Sequence, residues 1–182
     1  MSEETRGTQT ALFGREEAGG DPVGYRGPTA CSAAGITYRQ LDYWARTGLV
    51  EPSVRAATGS GSQRLYSFRD ILTLKVVKRL LDTGVSLPNI RQAVAHMRDR
   101  TDADLTEITL MSDGTTVYAC TSPDEVVDLV QGGQGVFGIA VGRVVSEVHG
   151  TLAELPSERA EQEPGAMAGD ELAARRQRRT SA

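Results

Sequence analysis

Gly35–Pro52, GITYRQLDYWARTGLVEP, is the stretch on which the fold turns. Thr37 is a good N-cap type, and from Tyr38 to Thr47 Leu41 and Trp44 fall on one side of a helix, with Arg39, Tyr43 and Arg46 elsewhere. Gly48 ends that helix. Just upstream, Pro28–Ala34 (PTACSAA) suits a short helix with proline in its first turn and Gly35 as its stop. Two short helices joined by a tight glycine-containing turn are the signature of a helix-turn-helix.

Downstream, LVEP leads into SVRAATGSGSQ, rich in Gly, Ser, Ala and Thr, and then Arg64, Leu65 and Tyr66. This predicts a hairpin, with a strand near Leu49 and Val50, a loop, and a return strand over 63–66. A hairpin after a helix-turn-helix is a wing, and Arg55 and Arg64 place positive charge on it. A third helix follows. Ser67 and Asp70 form a capping pattern, Ile71, Leu74, Val77 and Leu81 recur at helical spacing, and Gly84 terminates the run. A fourth begins at Ser86 and Pro88, with Ile90, Ala93, Val94 and Met97 as its buried face and Arg91 and Arg98 outward.

Taken together, 25–98 resembles the DNA-binding domain of the MerR family of bacterial transcription regulators. The features that carry the resemblance are Arg39, Leu41, Tyr43, Trp44 and Arg46, the GLVEP turn, Arg64 and Tyr66 of the wing, the aspartate of SFRD, and the G-x-S-L-x-x-I entry to the fourth helix. The resemblance implies that Thr37, Tyr38 and Arg39 open the recognition helix at the major-groove edge. It implies that Tyr43 and Arg46 hold phosphates, and that Arg64 and Tyr66 anchor the wing. An arginine fork suits a guanine edge, whereas the other donors fix register without reading sequence. Trp44 reads as core, because its large apolar surface lies on the Leu41 side. Asp42 stands where many members carry arginine, and a carboxylate there would repel phosphate or accept a bond from cytosine.

Charge supports this reading once it is divided. The whole chain of 182 residues carries a formal charge of -4 and a pI near 5.3, values that argue against a polyanion partner. By segment the formal charges are -3 over 1–24, +7 over 25–100, -8 over 101–155 and zero over 156–182. A basic module followed by an acidic one suggests that one part faces a polyanion and the other does not. The outer segments have the composition of disordered tails, the second ending in Arg175, Arg176, Arg178 and Arg179. There is no run of about 18 apolar residues, and the acidic N-terminus differs from a signal peptide, so a cytoplasmic, nucleoid-associated protein with no membrane partner is expected.

The acidic module reads as β-β-α-β-α. Asp113-Gly114 between β-branched runs predicts a hairpin over 105–121. Ser122, Pro123 and Glu125 open a short helix, Val136–Val141 is a buried strand, and Val144, Val145, Val148, Leu152 and Leu155 suit a final helix. Gly133, Gly135 and Gly138 spell G-x-G-x-x-G, but a dinucleotide site needs a strand before the motif and a helix after it, and here the order is reversed. The lone cysteines Cys31 and Cys120 fit reduced thiols, and His96 and His149 have no catalytic partners at a useful spacing. No catalytic, cofactor or metal residues are therefore assigned, and the protein is expected not to be an enzyme. From Asp99 to Asp104 polarity breaks any long coiled-coil stripe, so dimer contacts are assigned to the compact 101–155 module. Tyr118 and Phe137 read as core filling.

The sequence thus predicts an α+β chain: tail 1–24, winged helix-turn-helix 25–100, small acidic dimerisation or effector domain 101–155, tail 156–182. Its expected function is that of a homodimeric regulator on a palindromic promoter operator, which the resemblance says distorts DNA to repress or activate. RNA polymerase is a candidate partner, and an effector is unassigned. The alternative is an interaction adaptor whose acidic domain binds a partner protein while the basic domain tethers it to DNA.

Overall fold

The computed structural model describes residues 23–57, 63–132 and 137–160. Strand β1 (Val23–Arg26) leads directly into α1 (Gly27–Ala34), and α2 (Tyr38–Arg46) follows a turn at Gly35. That turn needs the left-handed region: Gly35 has φ 71°, and its N–H donates to the Cys31 carbonyl at 2.9 Å. After the wing come β2 (Leu65–Tyr66), α3 (Phe68–Asp82) and α4 (Leu87–Arg98). The remaining elements are α5 (Asp102–Glu107), β3 (Thr109–Ser112), β4 (Val117–Cys120), α6 (Pro123–Gln131), β5 (Phe137–Ala140), α7 (Val141–Ala153) and β6 (Glu158–Arg159). The chain is α+β, with an N-terminal helix-turn-helix region and a small β/α C-terminal part. Among the described residues no helix is long and apolar enough to cross a membrane.

Helix α3 is the hub. Its capping box is complete, Ser67 accepting from the Asp70 N–H while Asp70 accepts from the Ser67 N–H, and Ile71, Leu72, Leu74, Val76, Val77 and Leu80 are all buried. A helix apolar on nearly every side must be covered on every side. Here α1, α4 and α7 cover it. The alanines of α1 (Ala30, Ala33, Ala34) permit close approach, and Lys75 of α3 donates to the Ala33 carbonyl at 3.1 Å, placing a cation at that helix's C-terminal end. From the other side α7 buries Val141, Val144, Val145, Val148 and Leu152. Glu147 of α7 pairs with Arg79 at 2.6 Å and Lys75 at 3.5 Å, and the His149 ring lies against Phe68 with centroids 4.2 Å apart. One hydrophobic core therefore runs from Leu41 and Trp44 through α3 to Val144 and Leu152.

Two three-stranded antiparallel sheets flank the helices. In one, β1 lies between β2 and β6, with Tyr25 opposite Tyr66 and Val23 opposite Arg159. In the other, β3 lies between β4 and β5. The hairpin at Asp113-Gly114 forms, and the predicted fourth helix, α6 and α7 all form.

Several expectations need correction. Leu49 and Val50 form no strand: both are buried, and both N–H groups turn back to the Trp44 carbonyl, closing the end of α2. The wing's return segment pairs instead with β1 and, through a single bridge, with Arg55. The C-terminal part also holds α5 ahead of the hairpin, because Thr101 and Asp104 form a capping box that starts a new helix once α4 has ended at Arg98. Val23 and Gly24, read as tail, belong to β1, and Glu158 and Arg159, likewise read as tail, form β6; Arg26 and Glu158 make an ion pair across that junction. The rest of both tails, including Arg175 to Arg179, lies outside the described residues, as do Gly133 and Gly135. Gly138 lies in β5, where an added Cβ would sit 2.7 Å from the Met111 sulfur, so close strand packing accounts for it.

Asp113 shows how the second sheet is fixed. Its carboxylate accepts from the N–H groups of Thr115 (2.8 Å) and Thr116 (2.6 Å) and from the hydroxyls of Thr115 and Tyr118, and these bonds lower its pKa to about 2. Because the folded pKa is depressed, the contribution to stability is full above the ordinary carboxylate range and is lost as pH falls through about 2. An NMR titration of the Thr115 and Thr116 amides should therefore show a midpoint near 2, and a midpoint at an ordinary aspartate value would contradict the turn geometry.

Candidate DNA-binding face

Helix α2 is positioned from three directions. At its start, Thr37 accepts from the Gln40 N–H at 3.2 Å while the Gln40 side chain accepts from the Thr37 N–H at 2.9 Å, a reciprocal cap that fixes the first turn. Underneath, Leu41 and Trp44 are 1% and 3% exposed. At its end, Arg98 of α4 donates to the Leu49 carbonyl at 2.9 Å and Arg91 to the Thr47 carbonyl at 3.1 Å. Arg91 and Arg98 were expected to point outward. They remain exposed, but their guanidinium groups satisfy carbonyls at and just beyond the C-terminal end of α2, where cations are favoured.

The outer face of α2 then carries the predicted residues. Tyr38 is 63% exposed and Tyr43 48% exposed, and Arg39 and Arg46 are exposed beside them. Arg39 enters no ion pair among the described residues, which leaves its fork open. Thr37 acts as the cap; its hydroxyl already serves Gln40 on both sides.

The wing base stands next to this face. Ser53 donates to Asp70 through both its N–H and its hydroxyl, each at 2.8 Å, tying the start of the wing to the first turn of α3. Arg55 and Leu65 exchange backbone hydrogen bonds at 3.1 and 2.9 Å, and the Arg55 Nε donates to the Gln63 carbonyl at 3.2 Å. Tyr66 is fully buried, its phenol pKa pushed up by that burial against the opposing influence of the Arg64 guanidinium. Its side chain lies inside the base of the wing and not on its surface. A cleft of about 480 Å³ between the start of α1, α2 and the wing is bordered by Arg26, Tyr38, Asp42, Arg64 and Tyr66.

Asp42 was read as a repeller of phosphate or an acceptor from cytosine. In the structure its two oxygens are occupied: Oδ2 by Arg46 at 2.8 Å and Oδ1 by Arg64 at 2.9 Å. The carboxyl is held below its usual range, first by the hydrogen bond from Arg64. The i,i+4 spacing of Asp42 and Arg46 was a legible signal for half of this contact. The Arg64 half joins residues 22 positions apart and has no local signature.

Other cations of the basic segment are taken internally: Arg69 by Asp102 (2.7 Å) and by the carbonyl of Met97 (2.7 Å), Lys78 by Asp82, and Arg79 and Lys75 by Glu147. Lys78 and Asp82 pair within α3, and the other contacts hold α3 to α4, α5 and α7. On α2, Tyr38, Arg39 and Tyr43 face outward beside Arg46, which shares Asp42 with Arg64 of the wing base. Among the described residues no group of His, Cys, Asp and Glu gathers in a metal-binding arrangement.

Residues 25–97 match the family model described as MerR HTH family regulatory protein. Over 172 residues the chain is 64% identical to uncharacterized HTH-type transcriptional regulators of Mycobacterium bovis and Mycobacterium tuberculosis, covering 94% of this chain and 76% of each relative. The HTH-type transcriptional regulator HmrR of Sinorhizobium medicae is 34% identical over 74 residues, covering 41% of this chain and 48% of its own.

The inner and outer faces of α2 should separate in a stability assay. Leu41→Ala is expected to cost about 2–5 kcal/mol of unfolding free energy by urea denaturation, the scale for truncating a buried leucine. Arg39→Ala should stay within about 0.5 kcal/mol, as for an exposed site without partners. A comparable loss from both would contradict the two-faced assignment.

Proposed function

The chain belongs to the MerR family of HTH-type transcriptional regulators, and from that premise we propose that it acts as a homodimer on a palindromic promoter operator. It is a DNA-binding transcription regulator. The observation that carries it is the outward set on α2, Tyr38, Arg39, Tyr43 and Arg46, standing beside Arg55 and Arg64 of the wing base.

Arg39, at the N-terminal turn of α2 and unpaired among the described residues, reads a base edge in the major groove, with Tyr38 beside it. Tyr43, Arg46, Arg55 and Arg64 hold phosphates, and Thr37 and Tyr66 fix the helix start and the wing base. Residues 25–100 form the DNA-binding unit, supported by the family match over 25–97, and 101–155 carries dimer contacts and any effector response. Exposed Val127 and Val130 on α6, a helix that buries none of its residues, support an association surface in that second unit. Two-fold symmetry would set the two recognition helices about 34 Å apart along the duplex, or a multiple of that. Distortion of promoter DNA then represses or activates, with RNA polymerase as the further partner, in the cytoplasm at the nucleoid.

Footprinting and titration on upstream DNA provide the test. Arg39→Ala should cost about 1–3 kcal/mol on the bound site and relax base preference at one position of each half-site. Arg46→Ala should weaken all duplexes alike and reduce the slope of log K against log salt by about 0.9. Protection unchanged by Arg39→Ala would overturn the assigned role. A sequence-independent affinity for the wild-type chain would favour the adaptor reading, in which the basic unit only tethers.

A further inference from the structure

We propose that Asp42 is a positioning residue for DNA recognition: one carboxylate that sets the recognition helix and the wing at a fixed spacing by holding an arginine from each. This rests on the reading that α2 and the wing base meet DNA.

The geometry carries the inference. Asp42 lies on the outer face of α2, three residues after Arg39 and four before Arg46, so it stands in the middle of the surface that would approach the duplex. An isolated carboxylate in that place would repel phosphate. Here it is bracketed by two cations, at 2.8 and 2.9 Å, so the three groups together carry one net positive charge. Each contact uses one N–H of a guanidinium that has five, and because the guanidinium is planar, fixing one N–H restricts where the others point. Arg46 stays well exposed, with 67% of its side chain accessible, and Arg64 partly so, at 25%. Both therefore retain donors toward solvent while sharing one anchor.

The two arginines belong to elements with different jobs. Arg46 ends the recognition helix, and Arg64 immediately precedes β2 at the root of the wing. The wing is fixed to β1 through Tyr25 opposite Tyr66 and to α3 through Ser53 and the Asp70 carboxylate, and Asp42 to Arg64 adds a side-chain link from the outer face of α2 across to the wing. Exposed ion pairs add little to folding stability. The contribution of this one lies in pre-organisation: two long side chains that would otherwise lose rotamer freedom on binding are already ordered. Removing the carboxylate should raise the net positive charge of the face and yet weaken binding to the correct site, an outcome that a repeller or a plain stabilising pair would not give.

The experiment uses the full chain and two probes: a duplex enriched by the wild-type protein from a randomised pool, and a scrambled duplex of the same composition. Asp42→Ala and Asp42→Asn should lose about tenfold on the enriched duplex, the scale of a single misplaced base contact. They should bind the scrambled duplex as well as wild type or better, with an unchanged unfolding midpoint. Asp42→Glu should recover part of the loss, and adding Asp42→Ala to Arg64→Ala should cost no more than Arg64→Ala alone. Equal tightening on both duplexes would mean that Asp42 only repels phosphate. Equal weakening with a lowered midpoint would mean that it only supports the fold. Either result overturns the proposal while leaving DNA recognition by α2 intact. If the wild-type chain enriches no sequence from the pool, the reading beneath it falls as well, on a measurement that does not involve Asp42.

Discussion

Everything in this structure follows from the need to cover α3. Seven of its fifteen residues are buried, on more than one side, so it cannot lie as a surface helix with one apolar stripe. The N-terminal helices cover part of it, α1 through small alanines and α4 through Ile90, Ala93 and Met97. The rest falls to α7, contributed by the far end of the chain, with Glu147 answering Arg79 and Lys75 at the edge of the contact. The basic and acidic segments are thus joined where α7 packs on α3 and α1 and where β4 packs on α4. A displacement of α7 would act on the surface against which the recognition unit is built.

The same contacts explain why segment charge overstates what DNA would meet. The +7 over 25–100 is real as a count, but Arg69, Lys75, Lys78 and Arg79 are committed to carboxylates within the chain, and Arg91 and Arg98 to carbonyls near the end of α2. On α2 and the wing base, Arg39 and Arg55 enter no ion pair among the described residues, while Arg46 and Arg64 share the one carboxylate of Asp42.

Features with local causes were legible in the sequence. The Thr37 and Ser67 caps, the glycine stops at Gly35 and Gly84, and the Asp113-Gly114 turn each act within a few residues, and each appears where the pattern places it. The outer residues of α2 were legible for the same reason, since helical spacing alone separates Arg39 and Tyr43 from Leu41 and Trp44. What escaped depended on partners distant in the chain. Nothing near Arg98 announces the Leu49 carbonyl, nothing near Tyr66 announces that β1 will cover it, and a two-residue strand such as β6 has no period to detect. Helix α5 is the exception: Thr101 and Asp104 form the cap pattern used successfully elsewhere, and it was masked by the polarity of the run in which it sits.

The pairing of β1 with β6 makes the described chain nearly a closed ring. Val23 and Arg159 are cross-strand neighbours, a separation of about 5 Å in an antiparallel ladder, so the two ends of the described residues lie side by side at one point. That point belongs to the sheet whose other edge is the wing's return strand. The arrangement also has the proximity of ends that permits rejoining them and opening the chain elsewhere, since the order of elements could change without moving any of them.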